Sequence, residues 1–256
     1  MTSLDLLVFG PHPDDIEIGF GGTIALHVAR GFRVGLCDLT CGELASNGTV
    51  EDRLAEAEAA RAVLGADWRI NLGWPDGGLN DTPEHVSDIV RLVRACRPDV
   101  VAIPYWNDRH PDHRAASEIL SRALFKAGLR RFRPQSSPRP WPVGALALAA
   151  DGPSDAAWRP RRTCYYFIND DAPVSFGLDV SEVYEKKRQA LACHVTQFAP
   201  AGPDSVSTRL TVSTFRQLIE SRDARLGALA GVAYAEGVVI REPVLRATLF
   251  EDRSPE

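Results

Sequence analysis

A short cluster of histidine and aspartate near the amino terminus has the residue types of a metal-dependent hydrolase. The stretch Pro11-His12-Pro13-Asp14-Asp15 directly follows an apolar run, Leu4–Phe9, that is typical of a buried strand. Because His12 and Asp15 lie three residues apart, a tight turn can direct both side chains at one divalent metal ion. Asp14 is then free to act as a base. The alternative is that the two aspartates only cap the helix that follows them.

A second cluster, His110-Pro111-Asp112-His113, follows another apolar run. Its proline suits the first position of a helix, so His110 is predicted near the N-cap, and the imidazoles of His110 and His113 can face the same side. One of them can bind a metal ion while the other faces a substrate. Asp108 or Asp112 could accept a hydrogen bond from an imidazole N–H and fix its tautomer. The alternative is a surface helix start with solvated histidines, but two such clusters at neighbouring strand ends favour hydrolysis chemistry.

Further polar residues are predicted to lie on loops that reach the same crevice. Glu43 and Asn47 follow the second predicted strand, Arg53 opens the next helix, and Asp76 follows the third strand. From residue type alone, Arg53 is better explained as a solvated charge on an acidic helix and Asp76 as a turn residue before glycine. His194 ends a predicted helix, where a cation would complement the helix dipole.

The elements that must position these residues alternate between strand and helix patterns. Four βα units in series predict an α/β fold with a Rossmann-like open, mainly parallel sheet and helices on both faces. Ligands bind such sheets beyond the carboxyl ends of the strands, where both clusters fall. The predicted strands are Leu4–Phe9, Arg33–Leu39, Trp68–Leu72 and Asp99–Ile103, and the predicted helices are Ile16–Arg30, Val50–Leu64, Pro83–Cys96 and His113–Ala127.

The regular alternation stops after Gly128. Residues 129–162 are rich in proline and alanine and are predicted to be an irregular excursion within a single domain that spans residues 1–256. Asp179 and Glu182 have the spacing of a capping box at the start of a helix. The later predicted strands are Thr163–Ile168, Ser175–Val180, Val238–Ile240 and Val244–Leu249, and the later predicted helices are Glu182–His194 and Thr211–Ala230.

The composition argues against several classes of protein. A chain of 256 residues with 45% hydrophobic content can bury one sizeable core. The net charge is −5 and no basic run marks a nucleic-acid face, while no apolar run approaches the ~18 residues of a membrane span. The five cysteines are odd in number and lack a Cys-x-x-Cys pair, so reduced thiols are expected. With no signal-peptide pattern, a cytoplasmic location is predicted.

Both clusters resemble the motifs of the PIG-L/LmbE-like zinc N-deacetylases, and the resemblance covers most of the chain. Three further stretches, 37–49, 107–113 and Tyr165–Asn169, are similar to the bacillithiol-biosynthesis branch of that family. That branch removes acetate from N-acetylglucosaminyl-malate. The resemblance implies a small amino-sugar substrate and a homo-oligomer, since family members are often hexamers.

The resemblance also implies roles for individual residues. It implies that His12, Asp15 and His113 hold zinc and that Asp14 is the general base. A His/His/Asp site could also take Fe²⁺ or Co²⁺.

Other residues are implied to contact the substrate. The resemblance puts His110 beside the acetyl group, oriented by Asp112, and puts Arg53 and Asp76 at the sugar. His194 falls where relatives carry a residue near the reaction centre. A bidentate Arg53 guanidinium would also suit a malate carboxylate.

The predicted function is a zinc-dependent amidohydrolase that acts on an N-acetylglucosamine conjugate, with the malate conjugate as the leading substrate. One alternative is a deacetylase of another glycoside, of the mycothiol type or a chito-oligosaccharide. Another is a non-catalytic α/β protein that retains a metal ion for structure. Structural zinc sites are usually closed and richer in cysteine, so an open site with a spare carboxylate favours catalysis.

Overall fold

The computed structural model describes residues 3–135, 156–200 and 202–245. Its centre is a sheet of five parallel strands in the order β3-β2-β1-β4-β5. This arrangement confirms the predicted Rossmann-like sheet. The strands are β1 (Leu6–Gly10), β2 (Val34–Thr40), β3 (Trp68–Trp74), β4 (Val100–Pro104) and β5 (Arg162–Tyr166).

Helices cover both faces of this sheet, as predicted. They include α1 (Asp15–Ala29), α2 (Val50–Leu64), α3 (Pro83–Cys96) and α4 (Pro111–Ala127). The side chains of β1 alternate between the two faces because successive residues of a strand point in opposite directions. Leu7 and Phe9 join the core beneath α3 and α4, whereas Leu6 and Val8 join the core beneath α1 and α2. Full burial of each of these side chains contributes about 1.5–3 kcal/mol.

Local signals set the ends of the crossover helices. The side chain of Thr49 accepts a hydrogen bond from Asp52 N, and the Asp52 carboxylate accepts one from Thr49 N, which forms a capping box for α2. Gly65 then ends α2 with φ 80°, a left-handed conformation that glycine adopts without strain. Thr82 caps α3 and Pro83 occupies its first turn.

The described residues of the second half of the chain add a small antiparallel pair of strands and three α-helices. β6 (Phe176–Asp179) pairs with β7 (Ala235–Val238), and the helices are α5 (Tyr184–Cys193), α6 (Val195–Phe198) and α7 (Ser213–Ala230). In the described part of the chain, no helix has the length and apolar character needed to cross a membrane.

Some predicted boundaries in this half are wrong. The predicted capping box is absent, because the Asp179 carboxylate accepts hydrogen bonds from Ser181 and α5 begins only after a 3₁₀ turn, at Tyr184. β5 stops at Tyr166, and Val239 makes only an isolated bridge to Tyr165. Residues 244–245 are not in a strand, and the rest of that predicted strand, 246–249, lies outside the described residues.

The predicted excursion at 129–162 is described only at its two flanks, since 136–155 lie outside the described residues. The buried Arg94 guanidinium donates hydrogen bonds to the carbonyls of Ala127, Leu129 and Phe132. On the other flank, Trp158 Nε1 donates to Pro98 O at 2.8 Å. Both described flanks are therefore fixed to the α3–α4 layer.

Candidate active site

The two histidine–aspartate clusters meet at the point where the strand order of the sheet reverses. β1 pairs in parallel with β2 on one side and with β4 on the other, so the loops that leave β1 and β4 diverge and open a crevice. The first cluster leaves β1 and the second leaves β4, and the loops line a cavity of about 400 Å³. Its lining includes His12, Asp14, Asp15, Arg53, Asp76, His110 and His113.

Three side chains in this cavity present ligand atoms at the separations that one metal ion needs. Asp15 Oδ2 lies 3.0 Å from His12 Nδ1 and 3.2 Å from His113 Nε2. Two ligands about 2.0–2.1 Å from a tetrahedral zinc ion lie roughly 3.3 Å apart, so the group fits such an ion. All three residues are buried. Two imidazoles and one carboxylate form the donor set of an open catalytic site rather than of a closed structural one.

The other ring nitrogen of each of these histidines faces a carboxylate. His12 Nε2 lies 3.1 Å from Asp76 Oδ1 and 3.3 Å from Asp112 Oδ2. His113 Nδ1 lies 3.2 Å from Asp108 Oδ1. Metal-binding histidines donate their second N–H to such partners, which fix the tautomer and the ring orientation. Two carboxylates, those of Asp76 and Asp112, therefore orient the ring of His12, and the carboxylate of Asp108 orients the ring of His113.

The electrostatics of the group favour a cation. Burial alone would raise the pKa of Asp15, but His113 and His12 hold it well below its usual range. Burial alone would lower the pKa of His113, but the carboxylates of Asp15 and Asp108 raise it to about 9. The carboxylate oxygen of Asp15 thus stays negative between two imidazoles. A divalent cation could replace the protons that these groups share.

A second group of three, His12, His110 and Asp112, also lies within reach of one ion. It shares His12 with the first group. The nitrogen of His12 that faces Asp112 is Nε2, while Nδ1 faces Asp15. Among the described residues, His113 has a carboxylate behind its ring, whereas the hydrogen bond to the ring of His110 comes from a main-chain N–H. The first group is therefore the better metal centre.

Asp14 is placed beside the three ligands in a strained backbone conformation. Its φ of 134° lies in a region that residues other than glycine rarely adopt, and such strain concentrates at functional sites. Its carboxylate makes no capping hydrogen bond to α1, so the alternative in which the aspartates only cap this helix does not hold for Asp14. Burial raises the pKa of Asp14 to about 6, against the opposing positive charge of Arg53. A carboxylate with this pKa suits general-base chemistry near neutral pH.

Arg53 is buried, and its guanidinium donates hydrogen bonds to other groups of the protein. The prediction that Arg53 is a solvated charge on the helix surface is therefore wrong. Nη2 donates to Pro13 O at 2.6 Å and lies 3.3 Å from Asp14 Oδ2, while Nη1 donates to Gly42 O at 3.1 Å. A Cβ atom at position 42 would overlap the guanidinium, which explains the glycine there. Arg53 therefore clamps the loop of Asp14. Its predicted contact with a sugar or a carboxylate stays a prediction.

The ring of His110 is oriented by the backbone, not by the Asp112 carboxylate as expected. Asp112 N donates to His110 Nδ1 at 3.2 Å, which leaves the proton of the neutral ring on Nε2. The Asp112 carboxylate instead accepts a hydrogen bond from Gly77 N at 2.8 Å. Burial and the two neighbouring histidines lower the pKa of His110. His110 is thus set as a neutral donor that lines the cavity.

Asp76 and Asn47 hold loops in place rather than presenting free polar groups. Asp76 lines the cavity, but its second oxygen accepts a hydrogen bond from Leu44 N at 3.0 Å. Asn47 exchanges two hydrogen bonds with the backbone of Val206, at 2.8 and 2.9 Å. It is not among the residues that line the cavity. The predicted substrate contacts of both residues stay predictions.

His194 is fully buried and does not line the cavity. Its Nε2 lies 3.2 Å from Glu17 Oε2, and Glu17 pairs at 2.6 Å with Arg69, which pairs in turn with Asp38. The structure therefore does not place the His194 ring at the cavity surface, and its predicted place near the reaction centre stays a prediction.

Sequence reasoning assigned no role to several residues that line the cavity. Asn169 Nδ2 donates to Asp108 Oδ1 at 3.1 Å and so supports the carboxylate behind His113. Arg109 and Arg209 also reach the cavity. Arg109 adjoins the second cluster, which was a local signal for it. Asn169 ends Tyr165–Asn169, a stretch that the family resemblance had marked, although no role was assigned to it. Arg209 lies in a loop without a motif, and only the folded chain brings it to the site.

Comparisons with known proteins find relatives along most of this chain. The family model PIG-L, GlcNAc-PI de-N-acetylase, matches residues 7–124. A diacetylchitobiose deacetylase of Thermococcus kodakarensis is 28% identical over 243 residues, which cover 91% of this chain and 81% of that protein. A 1D-myo-inositol 2-acetamido-2-deoxy-alpha-D-glucopyranoside deacetylase of Actinosynnema mirum is 30% identical over 228 residues, which cover 75% of this chain and 80% of that protein.

A solved structure shares the whole fold. The crystal structure of the conserved protein TT1542 from Thermus thermophilus superposes with a TM-score of 0.80 at 35% identity, over 97% of this chain and 99% of that one. The family match includes both histidine–aspartate clusters. From these similarities along most of its length, the chain belongs to the PIG-L family.

Proposed function

We propose that this chain is a zinc-dependent hydrolase that removes the N-acetyl group from an N-acetylglucosamine conjugate. The observation that carries the proposal is the position of Asp14. Its carboxylate caps no helix and is clamped by Arg53 beside a group of two histidines and one aspartate that fits a metal ion. An amide hydrolase needs such a base next to its electrophilic centre.

The residues of the cavity divide the chemistry among them. His12, Asp15 and His113 would hold the ion, which when bound supplies a Lewis acid and lowers the pKa of water. Asp14 accepts the proton of the attacking water, and as the C–N bond breaks, Asp14 or His110 gives a proton to the leaving amine, so that acetate and the free amine are the products. His110, with its proton on Nε2, donates a hydrogen bond to the oxygen that becomes negative in the transition state.

The proposal names the N-acetylglucosamine part of the substrate but does not choose among the possible aglycones. The names of the two relatives favour an inositol-linked or a chitobiose substrate. N-acetylglucosaminyl-malate is supported only by the resemblance of three sequence stretches. Homo-oligomerisation and a cytoplasmic location likewise stay predictions.

Acetate release tests this function. The zinc-loaded protein would be assayed with the malate, inositol and chitobiose conjugates and with free N-acetylglucosamine, before and after chelation and after zinc is restored. We expect turnover of at least one conjugate that is lost with the chelator and recovered with zinc. His113→Ala should lose metal and activity together, whereas His27→Ala, a change outside the cavity, should keep both. Failure to release acetate from every conjugate with zinc bound would contradict the proposal.

A further inference from the structure

One side chain of α7 donates hydrogen bonds to two separate segments of the candidate active site. Arg222 Nη2 donates to Ile18 O at 2.8 Å. Its Nη1 donates to Phe167 O and to Ile168 O, each at 3.1 Å. The side chain of Arg222 is 16% exposed, so most of it is shielded from water. Because Ile18 and Ile168 both line the cavity, Arg222 joins α1 to the loop that leaves β5 beside this cavity.

The first arm of this connection ends at a proposed metal ligand. Asp15 is the first residue of α1, and Ile18 lies three residues later, on the same turn. In a regular helix Gly22 N would donate to the Ile18 carbonyl, and here it donates to the buried carboxylate of Glu236 at 2.9 Å. Side chains from outside the helix therefore supply hydrogen bonds at this point. Arg222 thus restrains the turn that begins with Asp15.

The second arm passes through one peptide group to the other end of the ligand set. The carbonyl of this group, that of Ile168, accepts a hydrogen bond from Arg222. Its N–H, that of Asn169, donates to Asp108 Oδ2 at 3.1 Å. Asp108 Oδ1 lies 3.2 Å from His113 Nδ1. Because a peptide group is planar, a donor that fixes its oxygen also fixes the direction of its N–H.

The two arms close a ring of contacts at the metal centre. Asp15 Oδ2 and His113 Nε2, at the ends of the arms, lie 3.2 Å apart. The arms meet again at Arg222, whose guanidinium is planar and holds its donors in a fixed geometry. The separation of the two ligand atoms therefore depends on a side chain that lies outside both histidine–aspartate clusters.

We infer that Arg222 is a positioning residue of the metal centre, which holds Asp15 and His113 at the separation that one ion needs. This inference rests on the proposed function for the identity of the metal ligands. The role of Arg222 is to orient these ligands and not to touch the ion or the substrate. Its loss should therefore change metal affinity and ligand geometry, and not stability alone.

The test measures stability and metal binding on the same variants, without turnover. Zinc affinity is measured by chelator competition, ligand geometry by the visible absorption of the Co²⁺-loaded protein, and stability by thermal melting. The variants are Arg222→Met and Arg222→Lys. Arg94→Met is the matched control, because the buried Arg94 guanidinium also donates to three main-chain carbonyls but lies in the α3–α4 layer, outside both arms.

We expect Arg222→Met to weaken zinc affinity about tenfold, the lower end of the effect of losing a group that orients metal ligands, and to change the Co²⁺ spectrum. Arg222→Lys should recover part of the affinity, since an ammonium can reach only some of the three carbonyls. Arg94→Met should lower the melting temperature and keep the wild-type affinity and spectrum. Wild-type zinc affinity with an unchanged Co²⁺ spectrum in Arg222→Met would overturn the inference, whatever its melting temperature.

A double variant keeps the inference testable if Arg222→Met does not fold. Arg222→Lys and Asp108→Asn act on His113 along the same arm, so together they should weaken zinc affinity by less than the product of their separate effects. Effects that simply multiply would overturn the inference.

The same measurements separate this inference from the proposed function. Weakened zinc binding by Arg222→Met, in a protein that releases no acetate from any conjugate, would support the inference and reject the proposed function. Acetate release by the wild-type protein, with unchanged zinc affinity and Co²⁺ spectrum in Arg222→Met, would do the reverse.

Discussion

Replacement of Arg53 distinguishes a clamp on Asp14, the proposed base, from a contact with substrate. Arg53→Met removes the donor of three hydrogen bonds and leaves the buried Asp14 carboxylate without its cation. Removing one partner of a buried charge pair costs about 3–5 kcal/mol. At roughly 2–4 °C per kcal/mol for a chain of this size, a loss of 3 kcal/mol lowers the melting temperature by about 6–12 °C.

The kinetic effect follows from the same contacts. If about 2.7 kcal/mol of the orientation of Asp14 is lost in the transition state, kcat falls about 100-fold, because each 1.36 kcal/mol is tenfold in rate. The fall in kcat should be the same for acidic and neutral conjugates. The guanidinium acts through its contacts with the loop of Asp14 and not through a contact with the aglycone. Gly42→Ala should act in the same direction, because the added Cβ would displace the guanidinium.

Thermal melting and steady-state kinetics on an acidic and a neutral conjugate measure both effects. Arg53→Lys should recover part of the stability, since an ammonium can reach only some of the same acceptors. A rise in KM confined to the acidic conjugate, with kcat and the melting temperature unchanged, would refute the clamp and restore Arg53 as a carboxylate anchor.

Three further predictions concern the supports of the site. Asp108→Asn should weaken metal affinity about 10–100-fold in a chelator competition, because it removes the carboxylate behind His113; unchanged affinity would contradict this role. Lys187→Met should lower the free energy of unfolding by about 3 kcal/mol or more without changing metal affinity, because Lys187 is fully buried between two carboxylates at 2.6 Å; a neutral effect in denaturant titration would show that the pair contributes little. Asn47→Ala should speed proteolysis within the 202–212 loop, since it removes both hydrogen bonds to Val206, and an unchanged cleavage rate would argue against that anchor.

The first half of the fold could be predicted because each element carries its own signal. Short runs of apolar residues specified the parallel strands, and caps such as Thr82 specified helix starts within a few residues of those observed. The β6–β7 pair could not be predicted as a pair, because it joins residues 176–179 to residues 235–238 and no turn links them directly. The capping box at Asp179 failed because Ser181 competes for the same carboxylate.

The candidate site, like the fold, has a part that could be predicted from the sequence and a part that could not. Local spacing predicted His12 and Asp15 as ligand candidates at a strand end that the sheet brings close to the second cluster. It left open which of His110 and His113 would join them, and only the family resemblance pointed to His113. The partners of these residues could not be predicted. Asp112 contacts His12 from 100 residues away, and Arg53 finds carbonyl acceptors that exist only in the folded loops.

Metal content and turnover of Asp14→Asn, measured on the same preparation, test the central claim most directly. Asp204→Asn, an exposed change with no side-chain contact among the described residues, is the matched control. Since the proposal makes Asp14 the base and not a ligand, its variant should bind as much zinc as the wild-type protein and release acetate at least 100-fold more slowly, while the control stays fully active. Acetate release at the wild-type rate by Asp14→Asn with zinc bound would contradict the account.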